Sequence, residues 1–229
     1  MSKPADLFEI YLEIGKKRVF AGAIQWPGWC RRGKDEASAI QALFDYGPRY
    51  AQVLRSTELG FVVPGDISRF HVVERLPGDV TTDFGAPGAL PSGDSAPLEG
   101  GELGRLRTIL EASWQAFDHA AARAEGRQLR KGPRGGGRDL PRMVDHLLEA
   151  DRAYLGRLGW KMAATKDLEP HDRLVRTRQA ILDGLASAAR GELPAKGPRG
   201  GFRWPPRYFV RRVAWHVLDH AWEIEDRLI

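Results

Sequence analysis

The chain has 229 residues, enough for one large domain or two small ones, and its 42% of apolar residues can supply a core. Lys plus Arg number 35 against 30 Asp plus Glu, a formal charge of +5 that permits an acidic partner without demanding one, so nucleic-acid binding is the weaker reading. A single cysteine excludes a classical zinc finger and an intrachain disulfide, no run approaches the roughly 20 apolar residues of a membrane helix, and the first residues lack the apolar stretch of a signal peptide, which makes the cytoplasm the expected location.

In chain order, Phe8 to Ile14 alternates well enough for a strand, and Lys17 to Ile24 reads as a second after a turn at Gly15-Lys16. Trp26-Pro27-Gly28-Trp29 ends that strand, its indoles expected to close a turn over a small core. Cys30 follows, flanked by Arg31 and Arg32; these favour a thiolate, but a small buried filler is the commoner role of such a residue. Lys34 to Tyr46 repeats Ala37, Ile40, Ala42 and Leu43 near a 3.6-residue period and predicts a helix, continued from Tyr50 to Arg55 after Gly47-Pro48. Phe61-Val62-Val63 and Phe70 to Glu74 predict short strands. The paired strands, the Pro-Gly-Trp-Cys turn and the Ala-rich helix of residues 8–46 resemble, over that short span, the fold of HicB-like antitoxins.

Residues 78–100 are dense in Gly, Pro, Ser and Asp and read as a linker or loop, which sets a small α/β unit at 1–77 apart from the remainder at 101–229. Four amphipathic helices follow, over about 102–125, 140–158, 171–190 and 207–228. Each carries an apolar stripe that it cannot bury alone, so packing together is expected. The run Lys131-Gly132-Pro133-Arg134-Gly135-Gly136 recurs as Lys196-Gly197-Pro198-Arg199-Gly200-Gly201, each copy preceding a helix that bears histidine. Duplication of a helix pair and convergent turn chemistry both explain the repeat.

The chemistry concentrates in two short segments. Trp215-His216-Val217-Leu218-Asp219-His220 places two imidazoles four residues apart on one helical face, where they can chelate one ion. Val144-Asp145-His146-Leu147-Leu148-Glu149 carries a third that would face them from another helix. Three neutral imidazoles suit zinc, nickel, iron or copper and leave positions open for water or substrate. Glu149 and Glu223, each three residues after a histidine, are the candidates to contact a ring nitrogen or to accept a proton. Arg134 and Arg199 are candidate docking points for the carboxylates of a substrate, against the plainer role of solvated loop charge. His119, inside the first long helix, is a further histidine within conceivable reach, while His71 and His171 show no partner pattern.

The region from about residue 101 to 229 resembles the DinB-like family of four-helix bundles, which takes in bacillithiol-transferase-like and mycothiol-dependent maleylpyruvate isomerase-like proteins. The resemblance, which does not reach residues 1–95, implies a C-terminal up-and-down-type bundle; with the small N-terminal strand–strand–helix unit read from the residues, this makes an α+β chain. The resemblance also implies a divalent ion (Zn, Ni or Fe) on His146, His216 and His220. By the same token it implies a metal-dependent thiol transferase or related lyase acting on a small molecule, with a low-molecular-weight thiol as cosubstrate. Paired bundles are common, so a homodimer would be unsurprising. The rival reading is non-enzymatic: a structural or protein-interaction module with a structural or vestigial metal site, its N-terminal unit binding a protein partner or self-associating.

Overall fold

The computed structural model describes residues 7–131, 137–165, 167–194, 196–197 and 200–229. The chain forms two compact units, one ending at Ala96 and the other running from Pro97 to Ile229. The architecture is α+β, with strands in the first unit and a four-helix bundle in the second. Among the described residues, no helix is long and apolar enough to cross a membrane.

The first unit holds β1 (Phe8–Ile14), β2 (Val19–Ala23), β3 (Cys30–Gly33), α1 (Glu36–Asp45), α2 (Gly47–Leu54), β4 (Phe70–Pro77) and α3 (Val80–Phe84). The sheet order is β3-β2-β1-β4. β1 pairs antiparallel with β2, with Leu12 opposite Ala21, and parallel with β4. The helix α1 packs over β2 and β3, and Asp35 caps its start by accepting from the Ser38 amide at 2.8 Å. Trp29 is fully buried, stacked on Tyr50 at 5.8 Å, and its Nε1 donates to the Leu43 carbonyl at 2.9 Å. Cys30 is buried too, with the Tyr11 hydroxyl directed at its sulfur at 3.9 Å.

Two local expectations change here. β3 carries the sequence Cys-Arg-Arg-Gly, which has no apolar alternation; pairing with β2 makes it a strand. Phe61-Val62-Val63 forms no strand. The neighbouring Pro64 cannot donate to a ladder, and Phe61 instead packs its ring against Trp26, Trp29 and Tyr50 at 4.9, 5.2 and 5.1 Å.

The Gly- and Pro-rich stretch after β4 is organised up to Ala96, where the first unit ends. It contains α3 and a 3-10 turn over Ser92–Ser95. Glu13, on β1 and fully buried, holds it: the carboxylate accepts from the Gly88 amide at 2.8 and 2.9 Å, from the Ala89 amide at 2.9 Å, and from the Thr82 hydroxyl. A long-range carboxylate anchor of this kind leaves no local sequence signature.

The second unit contains α4 (Glu102–Ala124), α5 (Leu140–Leu158), α6 (Pro170–Ala189) and α7 (Pro206–Arg227), which form a four-helix bundle. Prolines at the first turns of α5, α6 and α7 are tolerated because those amides lack intrahelical partners. Side-chain contacts fix the directions. Arg207 at the start of α7 pairs with Glu102 at the start of α4, so these two helices run the same way. Arg173 at the start of α6 bonds Asp145 near the start of α5 at 2.9 Å, and Gly184 backs onto Leu155, so α5 and α6 also run together. The Trp204 amide, just before α7, donates to the Arg157 carbonyl at the end of α5 at 3.0 Å, so the start of α5 lies beside the end of α7. That placement brings the two histidine-bearing segments to one level of the bundle.

α7 is the central helix, packed against α4, α5 and α6, and is buried almost throughout from Tyr208 to Trp222. Phe209, Val210, Val213, Val217, Leu218 and Ile224 supply its apolar contacts, each worth roughly 1.5–3 kcal/mol on burial. The same helix also buries Arg211, Arg212, His216 and His220. Interring charged and polar groups costs free energy unless each finds a partner.

Candidate metal centre

His146 lies in the second turn of α5, His216 and His220 one turn apart from the middle of α7 onward. The antiparallel crossing of α5 and α7 converts these positions into a cluster in which one ligand atom from each ring lies within 4.8 Å of the others. The ring centroids form a near-equilateral triangle with sides of 4.9, 5.2 and 4.8 Å. His146 Nε2 and His216 Nε2 are 3.1 Å apart. A tetrahedral zinc ion with Zn–N of about 2.0–2.1 Å holds its nitrogens about 3.3 Å apart, so this spacing fits a shared cation. No other group of three or more His, Cys, Asp or Glu residues among those described has such geometry.

The electrostatics favour the neutral, ligating form of His146 and His216. Burial, aided by the charges of Arg138 and His220, holds His146 below the ordinary imidazole value despite the opposing pull of Glu149 and Glu223. Burial pushes His216 well below it, with His220, His146, Arg212 and Arg138 adding to the effect. Neutral rings present lone pairs, which is what a divalent cation requires.

Glu223 supplies the orienting contact that metal-binding histidines usually have. His220 Nδ1 donates to its Oε2 at 2.9 Å, which leaves Nε2 for a ligand, and Arg227 Nη1 donates to its Oε1 at 2.6 Å. Burial opposes charge on Glu223, yet the bond from His220 and the neighbouring Arg227 bring its carboxyl below the usual range. Glu149 is exposed on α5, near enough for its charge to act on His146. His216 Nδ1 is buried without an acceptor, and its ring is instead held between Trp215 and Tyr154, at 5.9 and 6.0 Å.

Of the other sequence candidates, His119 is exposed on α4 and outside the cluster, and His71 and His171 are exposed as well. Arg134 and Arg199 lie outside the described residues. Sequence reading passed over Arg212, Asp151 and Tyr154. The signal was available for two of them: Arg212 precedes His216 by four residues and Tyr154 follows His146 by eight, so both share the faces of their histidines. Asp151 is 4% exposed, its Oδ1 has no partner, and burial raises its carboxyl to about 7 against the attraction of Arg178.

Compared with known proteins, the chain matches no family model, no curated sequence and no solved structure. The four-helix bundle and its histidine cluster therefore carry the functional argument.

Proposed function

We propose that the bundle is a divalent-metal site of the DinB-like type, serving a thiol transferase or related lyase that acts on a small molecule. The observation that carries this reading is the convergence of three imidazole nitrogens within 4.8 Å from two antiparallel helices. The bundle architecture and the order of the ligands along the chain support it. Bound at these nitrogens, a zinc, nickel or iron ion would supply Lewis acidity that makes a thiol, or a water, easier to deprotonate.

The residues of the chain divide the remaining work. Glu223 fixes the tautomer and orientation of His220, and both of its oxygens are engaged in doing so. Glu149, exposed beside His146, is left as the group to accept the proton released by the nucleophile. Arg134 and Arg199 are retained as docking points for the substrate's carboxylates, and a cytoplasmic homodimer as the form in which the protein works.

The test is elemental analysis of protein purified without a histidine tag, joined to a screen for conjugation or lyase activity with low-molecular-weight thiols. Near one equivalent of metal is expected, falling to background in His220→Ala. Metal retained in that variant would overturn the assignment. Metal bound by wild type and required for folding, with no thiol-dependent turnover, would replace the enzyme by a structural metal module.

A further inference from the structure

Arg212 is the most unusual charge in the bundle. It is 7% exposed, and no carboxylate pairs with it among the described residues. Its one protein hydrogen bond runs from Nη2 to the Tyr154 hydroxyl at 3.3 Å, while Nε, which carries one N–H, and Nη1, which carries two, are buried and meet no acceptor. The aromatic rings of Trp215, Tyr154 and Trp204 surround the guanidinium at 5.3, 5.5 and 6.0 Å. These rings offset part of the cost of burying the charge, but they accept no hydrogen bonds in the guanidinium plane. A cation this deeply desolvated is costly unless an anion with lone pairs arrives to meet it.

The position of Arg212 says where that anion would lie. On α7 it sits one turn before His216 on the same face, a separation of about 5–6 Å. Across the seam Tyr154 touches both: its hydroxyl meets Arg212, and its ring lies 6.0 Å from that of His216. Having accepted from Nη2, the Tyr154 hydroxyl still has its own proton to donate. The α5–α7 seam thus presents three imidazoles at one level and a caged guanidinium with a phenol at the next.

We infer that Arg212 and Tyr154 form a carboxylate-recognition subsite, so that the natural ligand is a small acid reaching from the histidine cluster to Arg212. The inference rests on the metal reading and deepens it, because it names the chemical class of ligand that the site selects. Planar, always charged and hydrogen-bonding along its edges, a guanidinium suits a carboxylate better than an ammonium does.

Cobalt-loaded full-length protein titrated with 3-mercaptopropionate and with its methyl ester tests this, with sulfur-to-cobalt charge-transfer absorption as the readout. The acid should bind about 10- to 100-fold more tightly than the ester, the range of a charge-assisted hydrogen-bonded pair. Arg212→Met should bring the ratio to near one while leaving the ester's affinity and the cobalt content unchanged. Arg212→Lys, which keeps the charge and loses the fork, should fall between. A ratio near one in wild type, or one preserved in Arg212→Met, overturns the subsite while the metal centre stands. Failure of the wild-type protein to take up cobalt overturns the metal reading itself and the bridging ligand with it. Should Arg212→Met not fold, the wild-type ratio and the Arg212→Lys ratio decide the matter.

Discussion

The two units treat buried polar groups in opposite ways. In the first, Glu13 is fully enclosed yet accepts from two backbone amides and a hydroxyl, Trp29 Nε1 donates to a carbonyl, and the Tyr50 hydroxyl donates to the Pro27 carbonyl at 2.8 Å. In the second, Trp114 Nε1, Asp151 Oδ1, Thr177 Oγ1, Arg212 Nε and Nη1, and His216 Nδ1 are all buried without a partner. Every described side-chain atom in that condition belongs to the second unit. Satisfied burial stabilises a fold and specifies its loops, whereas unsatisfied burial costs free energy and persists where the groups have another use. The contrast sets the bundle, which keeps polar groups unpartnered in its interior, apart from the sheet unit, whose polar interior serves its own architecture.

The sharpest way to break this contrast is at Glu13. Replacing it by Ala strands two amides and a hydroxyl in an enclosed site, at a cost of about 4 kcal/mol. Hydrogen exchange should show lost protection at Gly88 and Ala89, while the metal content of the bundle is unchanged. Full protection retained at both amides would mean that the loop does not depend on the carboxylate.

Asp151 should behave in the opposite sense. Its carboxyl titrates near 7 in the folded protein against an ordinary value of 3.8. Between those values the native state keeps a proton that the unfolded chain has released, so stability is lost as pH rises through that window. Asp151→Asn should therefore stabilise the protein at pH 8 by up to about 4 kcal/mol and change it little at pH 4, as read from denaturant unfolding at the two pH values. Equal effects at both would show that the carboxylate is charged and paired in the native state.

A smaller effect is expected at Glu223. Glu223→Gln weakens the bond that orients His220, and metal affinity should fall about 10- to 100-fold without change in stoichiometry, measured by competition with a chelator. Unchanged affinity would detach Glu223 from the metal centre. The smallest effect tests the surface: Phe84 is 87% exposed on α3, and Phe84→Ser should change stability by less than about 0.5 kcal/mol.

The bundle was legible because each of its helices announces itself locally. The stripe of Leu106, Ile109, Leu110 and Phe117 on α4, and that of Met143, Leu147, Leu148 and Leu155 on α5, repeat at helical spacing, and all of these residues are buried. Pro141, Pro170 and Pro206 then mark the first turns, and Gly159, with φ of 108°, closes α5. The sheet unit was less legible. β3 is a strand only by pairing, Phe61 exchanges a ladder for an aromatic cluster, and the stretch from Gly78 to Ala96 owes its order to Glu13, more than 60 residues away in sequence.

What the sequence determined by itself was whatever repeats over one helical turn: the positions of α4 to α7, their apolar faces, and the pairing of His216 with His220. Those properties depend on neighbours three and four residues apart, and the chain carries them wherever it folds. Only the tertiary structure decided that α5 and α7 run in opposite directions, which sets His146 against that pair and leaves Arg212 caged by three rings beside them. The contacts of His146 with His216 and of Tyr154 with Arg212 join residues 70 and 58 positions apart, and no local period encodes which helices meet, at what level, or which buried charge is left without an answer.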